Sequence, residues 1–145
     1  MPSEKTNTVT RQEWRDLGFF YDRDDDAKEW RIAGSKSGLG KLAAAISKFA
    51  LDPRNHKKSE HDHLGPYMYL EIGCWPEPQI TGHWIAGPLS LLEDLAISIR
   101  EKVAAAHEGS VILLRDSFAP GSPYELRIEV KAEAFDPARA DPNCW

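Results

Sequence analysis

His61-Asp62-His63, with His56 shortly before it, is the segment whose residue types and spacing come closest to a metal site. In an extended backbone alternate side chains share a side, and two imidazoles so placed could chelate zinc. No fourth ligand follows at a recognisable spacing, and His83 and His107 are scattered. Residues 53–66 are otherwise a run of polar side chains between prolines. The plainer reading is a solvated loop, so no metal ligand and no cofactor is assigned.

Other candidate chemistry is weaker still. Asp22, Asp24, Asp25 and Asp26 could attract a hard cation, but no Gly or terminal Glu stands where a calcium loop needs one. Aspartates at a hairpin tip suit turn geometry, and they could also meet a basic partner. Gly34-Ser35-Lys36-Ser37-Gly38-Leu39-Gly40-Lys41 ends in the Gly-Lys of a phosphate loop. Ser35 replaces the first glycine of that motif and Leu42 replaces its magnesium-binding hydroxyl, so the motif is rejected. There is no Gly-x-Ser-x-Gly, and Cys74 lies in an apolar strand pattern away from any base. Glu125 and Glu129 sit on an open strand face without a desolvated pocket. No catalytic residue is assigned.

The elements that must carry these residues follow from periodicity. Leu17, Phe19 and Tyr21 alternate as in a strand, and Glu29 to Ala33 returns as a second, making a hairpin with an acidic tip. Ser35 or Ser37 caps a helix with the apolar stripe Leu39, Leu42, Ala43, Ile46, Phe49 and Ala50. Asp52-Pro53 stops it. Tyr67 to Trp75 reads as a strand, with Met68, Leu70, Ile72 and Cys74 on one face and Tyr67, Tyr69, Glu71 and Gly73 on the other. Pro76-Glu77-Pro78 leads to a returning strand over 79–86. Pro88, or a capping box of Ser90 with Glu93, starts a second helix with the stripe Leu92, Leu95, Ala96, Ile99 and Val103. Val111 to Leu114 and Tyr124 to Lys131 read as the last strands.

Two of these units match each other. Trp30-Arg31-Ile32-Ala33-Gly34 and Trp84-Ile85-Ala86-Gly87 each run into a helix, and their Ile, Ala, Gly, Leu, Leu, Ala and Ile fall at one offset. The expected fold is α+β, in the order ββα-ββα-ββ. It has one mainly antiparallel sheet and two helices on one face. Residues 1–145 form a single domain, with 1–12 and 136–145 as loose tails.

Composition sets outer limits. A chain of 145 residues, 41% hydrophobic and 28% charged, can bury a real core. A net charge of -5 argues against nucleic acid and favours a basic partner. Two cysteines make no disulfide framework, and no run approaches the ~20 apolar residues of a membrane span. A polar N-terminus without a signal-peptide core points to the cytoplasm.

The segments Trp14-Arg15-Asp16-Leu17-Gly18-Phe19-Phe20-Tyr21-Asp22, Glu29-Trp30-Arg31 and Gly65-Pro66-Tyr67-Met68-Tyr69-Leu70 resemble small bacterial immunity proteins of polymorphic toxin systems. The resemblance covers roughly residues 13–130. It implies a short cytoplasmic α+β protein that binds a toxin and blocks it without catalysis, and it carries over no defined set of functional residues.

The residues point to a non-catalytic binder, and the resemblance implies an immunity protein that neutralises a cognate toxin by stoichiometric binding, a basic toxin being the one the acidic residues would steer. Its expected partner surface is Tyr67, Tyr69 and Glu71 on the open sheet face, with Asp24, Asp25 and Asp26 at the hairpin tip and Trp75 at the rim. The alternatives are a homodimeric structural or regulatory module and, behind it, a metal-dependent enzyme using His61 and His63.

Overall fold

A computed structural model describes residues 3–145. Of the loose tail expected over residues 1–12, Met1 and Pro2 lie outside the described residues, and the rest enters a helix, α1 (Glu4–Leu17). Ser3 caps it by accepting from the amide of Thr6, and Gly18 closes it in the left-handed region at φ 91°. Its only buried side chains are Asn7 and Trp14, so it carries almost no apolar stripe for a periodicity reading to find.

The first hairpin forms, but its first strand starts later than expected, because Leu17 belongs to α1 and Gly18 ends that helix. β1 (Phe20–Asp24) pairs antiparallel with β2 (Glu29–Gly34), and Tyr21 stands opposite Ile32. Asp24 shapes the tip by accepting from the amides of Asp26 and Ala27. β2 runs directly into α2 (Lys36–Leu51), capped by Ser35 and stopped at Asp52.

The middle of the chain departs from the expected single sheet. β3 (His61–Leu64) pairs antiparallel with β4 (Leu70–Cys74). β4 then pairs in parallel with β6 (Ile85–Gly87), and β5 (Gln79–Ile80) takes the far edge, antiparallel to β6. Pro76 and Pro78 supply no N–H, so the connection cannot zip into a tight hairpin against β4; it carries the chain outward instead. β6 leads into α3 (Leu89–Ala105), which Pro88 precedes as N-cap. The expected Ser90–Glu93 capping box does not form; the Glu93 carboxylate accepts from Ser47 of α2 instead. β7 (Val111–Leu113), a single-turn α4 (Arg115–Phe118) and β8 (Glu125–Val130) follow.

The result is α+β with two mixed four-stranded sheets, ordered β1-β2-β8-β7 and β3-β4-β6-β5. In each, the two inner strands are parallel and the outer ones antiparallel. Each long helix leaves an inner strand of one sheet and delivers the chain to the other. The strands flanking the two strand–helix units differ: β1 is five residues long and lies beside β2, whereas β5 has two residues.

α2 and α3 pack against each other, α2 also meets β2, and α3 also meets β6. Leu39, Leu42, Ala43, Ile46 and Phe49 of α2 and Leu92, Leu95, Ala96 and Ile99 of α3 are buried, together with Trp30, Ile32, Ile72, Ile85, Leu126 and Ile128 from the sheets. Trp84 is also in the core. Residues 136–145, expected as a loose tail, form two short 3₁₀ turns, Pro137–Ala140 and Pro142–Cys144. Each is an Asp-Pro pair in which the aspartate accepts from the amide two residues on, with proline at the first helical position. Ala138 and Cys144 are fully buried. Among the described residues, no helix is long and apolar enough to cross a membrane.

Candidate functional site

The C-terminal segment, α1 and the β3–β4 connection converge on one groove. It has a volume of about 530 Å³ and is lined by Trp14, Phe20, Tyr21, Tyr67, Tyr69 and Asp141, with Asp22 and Arg23 at its margin. Aromatic side chains build it in chain contact: the Trp14 ring lies 4.9 Å from Phe20, 5.2 Å from Tyr21 and 6.3 Å from Tyr67. Tyr21 is buried and its hydroxyl donates to the carbonyls of Leu64 and Pro66, at 2.7 Å each, which ties β1 to the β3–β4 connection. Burial pushes the Tyr21 hydroxyl up to about 12, so it stays a donor at any physiological pH.

Asp141 is the polar centre of the groove. It is buried, and Oδ2 accepts from Trp14 Nε1 at 2.9 Å and from the Tyr67 hydroxyl at 2.7 Å, while Oδ1 accepts from the Asn143 amide. Burial raises its pKa, but these hydrogen bonds outweigh burial and the net displacement is downward. The Tyr67 hydroxyl is displaced upward, by burial and by its bond to the carboxylate.

Tyr67, Met68 and Tyr69 are not a strand. They form a tight knuckle in which Tyr67 (φ 63°) and Met68 (φ 58°) both take the left-handed conformation. Two successive non-glycine residues there are strained, and strain of this kind persists where the surroundings impose it. Here Tyr67 is held by Asp141 and by its neighbour Tyr69, 5.9 Å away. Met68, expected to point inward, is 58% exposed; Tyr67 is 47% and Tyr69 65% exposed. The knuckle is therefore an apolar projection beside an aromatic groove.

The remaining expected surface is dispersed. Glu71, expected on the open face, is 8% exposed, and its carboxylate is surrounded by the imidazoles of His61, His63 and His83. Residues 61–64, expected as loop, are β3, and the register sets His63 opposite Glu71. Asp24 and Asp25 are compensated: Asp24 pairs with Arg31 of the same hairpin at 2.9 Å, and Asp25 accepts from the hydroxyl of Tyr124, just before β8, and pairs with Arg23 at 2.7 Å. Those last two contacts hold the Asp25 carboxyl below its usual range. Asp26 is exposed. Trp75 is half-buried against Trp84 and under Lys58, beside a shallow depression that shares no residue with the groove. Glu125, Arg127 and Glu129 belong to the other sheet from Glu71.

Trp14, Phe20 and Asp141 enter the groove without having been assigned to it from sequence. The one local signal was the Asp-Pro pair at 141–142, which marks a capped turn but not what the carboxylate faces. No family model matches the chain, and no curated protein and no solved structure does.

Proposed function

We propose that the protein is a stoichiometric binding protein of the toxin-neutralising immunity kind, acting in the cytoplasm without catalysis. The observation that supports this reading is the exposed Tyr67–Met68–Tyr69 knuckle, held in a strained conformation at the mouth of the aromatic groove. Aromatic and methionine side chains are enriched in protein interfaces, the aromatic rings giving large contact area at small entropic cost and methionine an adaptable apolar contact. A preformed knuckle has already met its ordering cost before the partner arrives. The buried Asp141 and the marginal Asp22, within a chain of net charge -5, favour a partner segment that brings a basic side chain with an apolar stem.

The test is binding of a purified candidate toxin, with its toxic activity as readout. A one-to-one complex that abolishes the activity is expected. A Met68→Ser/Tyr69→Ala variant that keeps its melting temperature should bind at least ~10-fold more weakly, one buried anchor being worth about 1–2 kcal/mol or more. Tyr67 is left intact because its bond to Asp141 is also structural. Self-association is the second reading, and it has its own observation: edge strand β7 exposes Val111 and Leu113. Light scattering of the protein alone separates the two.

A further inference from the structure

We infer that His61, His63 and Glu71 form a binding site for one divalent cation of the zinc class, with His83 as a positioning residue. This inference does not depend on the partner-binding reading.

Glu71 is a buried carboxylate, and among the described residues its ion-pair contacts are all to imidazoles. His61 Nε2 lies 3.4 Å and His63 Nε2 3.6 Å from the same oxygen, Oε1. One ligand atom from each of the three residues falls within 4.8 Å of the others. Zinc bonds of about 2.0–2.1 Å in tetrahedral geometry set neighbouring ligand atoms about 3.3 Å apart, close to the two distances observed.

The outer nitrogens decide how the inner ones are used. His61 Nδ1 meets the carbonyl of Ser59 at 2.9 Å, and His63 Nδ1 meets the carbonyl of Met68 at 3.1 Å. A carbonyl only accepts, so each Nδ1 donates to it, which leaves Nε2 as the nitrogen turned toward Glu71. Both Nε2 atoms face the same carboxylate oxygen, Oε1. Two imidazole nitrogens and one carboxylate oxygen converging on one point are a donor set that a divalent ion of the zinc class takes. A backbone carbonyl fixing the distal nitrogen is the usual support of a histidine ligand.

The fold supplies the remaining support. β3 sets both histidines on one side, and the antiparallel register delivers Glu71 directly opposite His63. The turn before β6 brings His83, whose Nδ1 is 3.2 Å from Oε2, the other carboxylate oxygen. Donation there leaves Oε1 directed at the ion. Thr81 shapes that turn by accepting from the amides of His83 and Trp84, and the Trp84 ring lies against His83 at 5.1 Å. Three protein ligands leave a fourth position for water or for a donor from a partner. Because Met68 holds His63, the ion would also brace the knuckle.

The test is titration of tag-free, chelator-stripped full-length protein with zinc by calorimetry, and with cobalt by absorption. One equivalent of zinc and cobalt bands of a tetrahedral or five-coordinate site are expected, with the melting temperature rising with free zinc. The His61→Ala/His63→Ala double variant, changed on an exposed strand, should stay folded by circular dichroism and lose at least about 100-fold in affinity. His83→Ala should lose about 10-fold, as supporting residues do. Binding well below one equivalent, or zinc uptake unchanged in the double histidine variant, would overturn the assignment. Should Glu71→Gln fail to fold, the histidine variants decide the matter alone.

Discussion

At the scale of single residues, Asp141 joins the parts of the groove. It accepts from Trp14 of α1 and from Tyr67 of the knuckle, and its neighbours Asp136 and Cys144 add further ties to α1. Arg15 donates to Asp136 at 3.2 and 3.0 Å, Arg11 donates to the Cys144 carbonyl, and the Arg11 guanidinium lies 4.5 Å from the Trp145 ring. Asp141→Asn keeps the shape but weakens two hydrogen bonds to a charged acceptor; destabilisation of about 1–3 kcal/mol in a denaturant titration is expected. The pKa displacements of Asp141 and Asp136 are both downward, and for Asp136 the Arg15 hydrogen bond is the main cause. A folded-state value below the free-chain value of about 3.9 means that each ionised group stabilises the fold above that pH. The contribution is lost as pH falls through the lower, folded-state value. Stability should therefore hold from neutral pH to about pH 5 and fall below about pH 4. The Asn variant should show a shallower fall, and an identical acid profile would show that Asp141 is not the coupling group.

At the scale of elements, α2 and α3 hold the two sheets together, and their apolar stripes were fully legible in the sequence because period 3.6 is a local property. Leu42, Ile46, Leu95 and Ile99 are all buried, and each substitution by Ala should cost ~2–5 kcal/mol in chemical unfolding. Two glycines of α2 give a sharper contrast. A Cβ on Gly38 would lie 2.0 Å from the Gly18 carbonyl oxygen, so Gly38→Ala must push α2 away from the end of α1 and should destabilise by about 1–3 kcal/mol. Gly40 has nothing within 4 Å of such a Cβ, and Gly40→Ala should stabilise by about 0.5–1 kcal/mol. Equal effects from the two would contradict the close approach at Gly38. The first hairpin, the Ser35 cap and the alternation of β8 could also be read in advance. α1 could not, since Trp14 is its one large buried side chain. Nor could the knuckle, where alternation over Tyr67 to Ile72 imitates a strand while tertiary contacts impose left-handed geometry on Tyr67 and Met68.

At the scale of the whole molecule, both candidate sites lie where chain segments distant in sequence meet, and such meetings are what local patterns leave open. The pairing of β4 with β6 in parallel, rather than in a hairpin, separates the expected single face into two sheets. That separation removes Glu71 from the partner surface and sets it among His61, His63 and His83. It also leaves Tyr67 and Tyr69 beside Trp14 and Asp141 instead of beside Glu125 and Arg127. The aspartates of the first hairpin retain a smaller part than their number suggests, because Arg23 and Arg31 neutralise Asp25 and Asp24 at contact distance. Asp26→Asn should therefore change association rates by less than about threefold at physiological salt, exposed charges being screened over about 8 Å. The central claim is that this protein binds another protein through the aromatic groove and its knuckle. It is tested most directly by light scattering on mixtures with a purified candidate toxin, using the wild type and the Met68→Ser/Tyr69→Ala variant at equal concentration. The wild type should form a one-to-one complex and the folded variant should elute largely free; no complex with the wild type, or an undiminished complex with the variant, would contradict it.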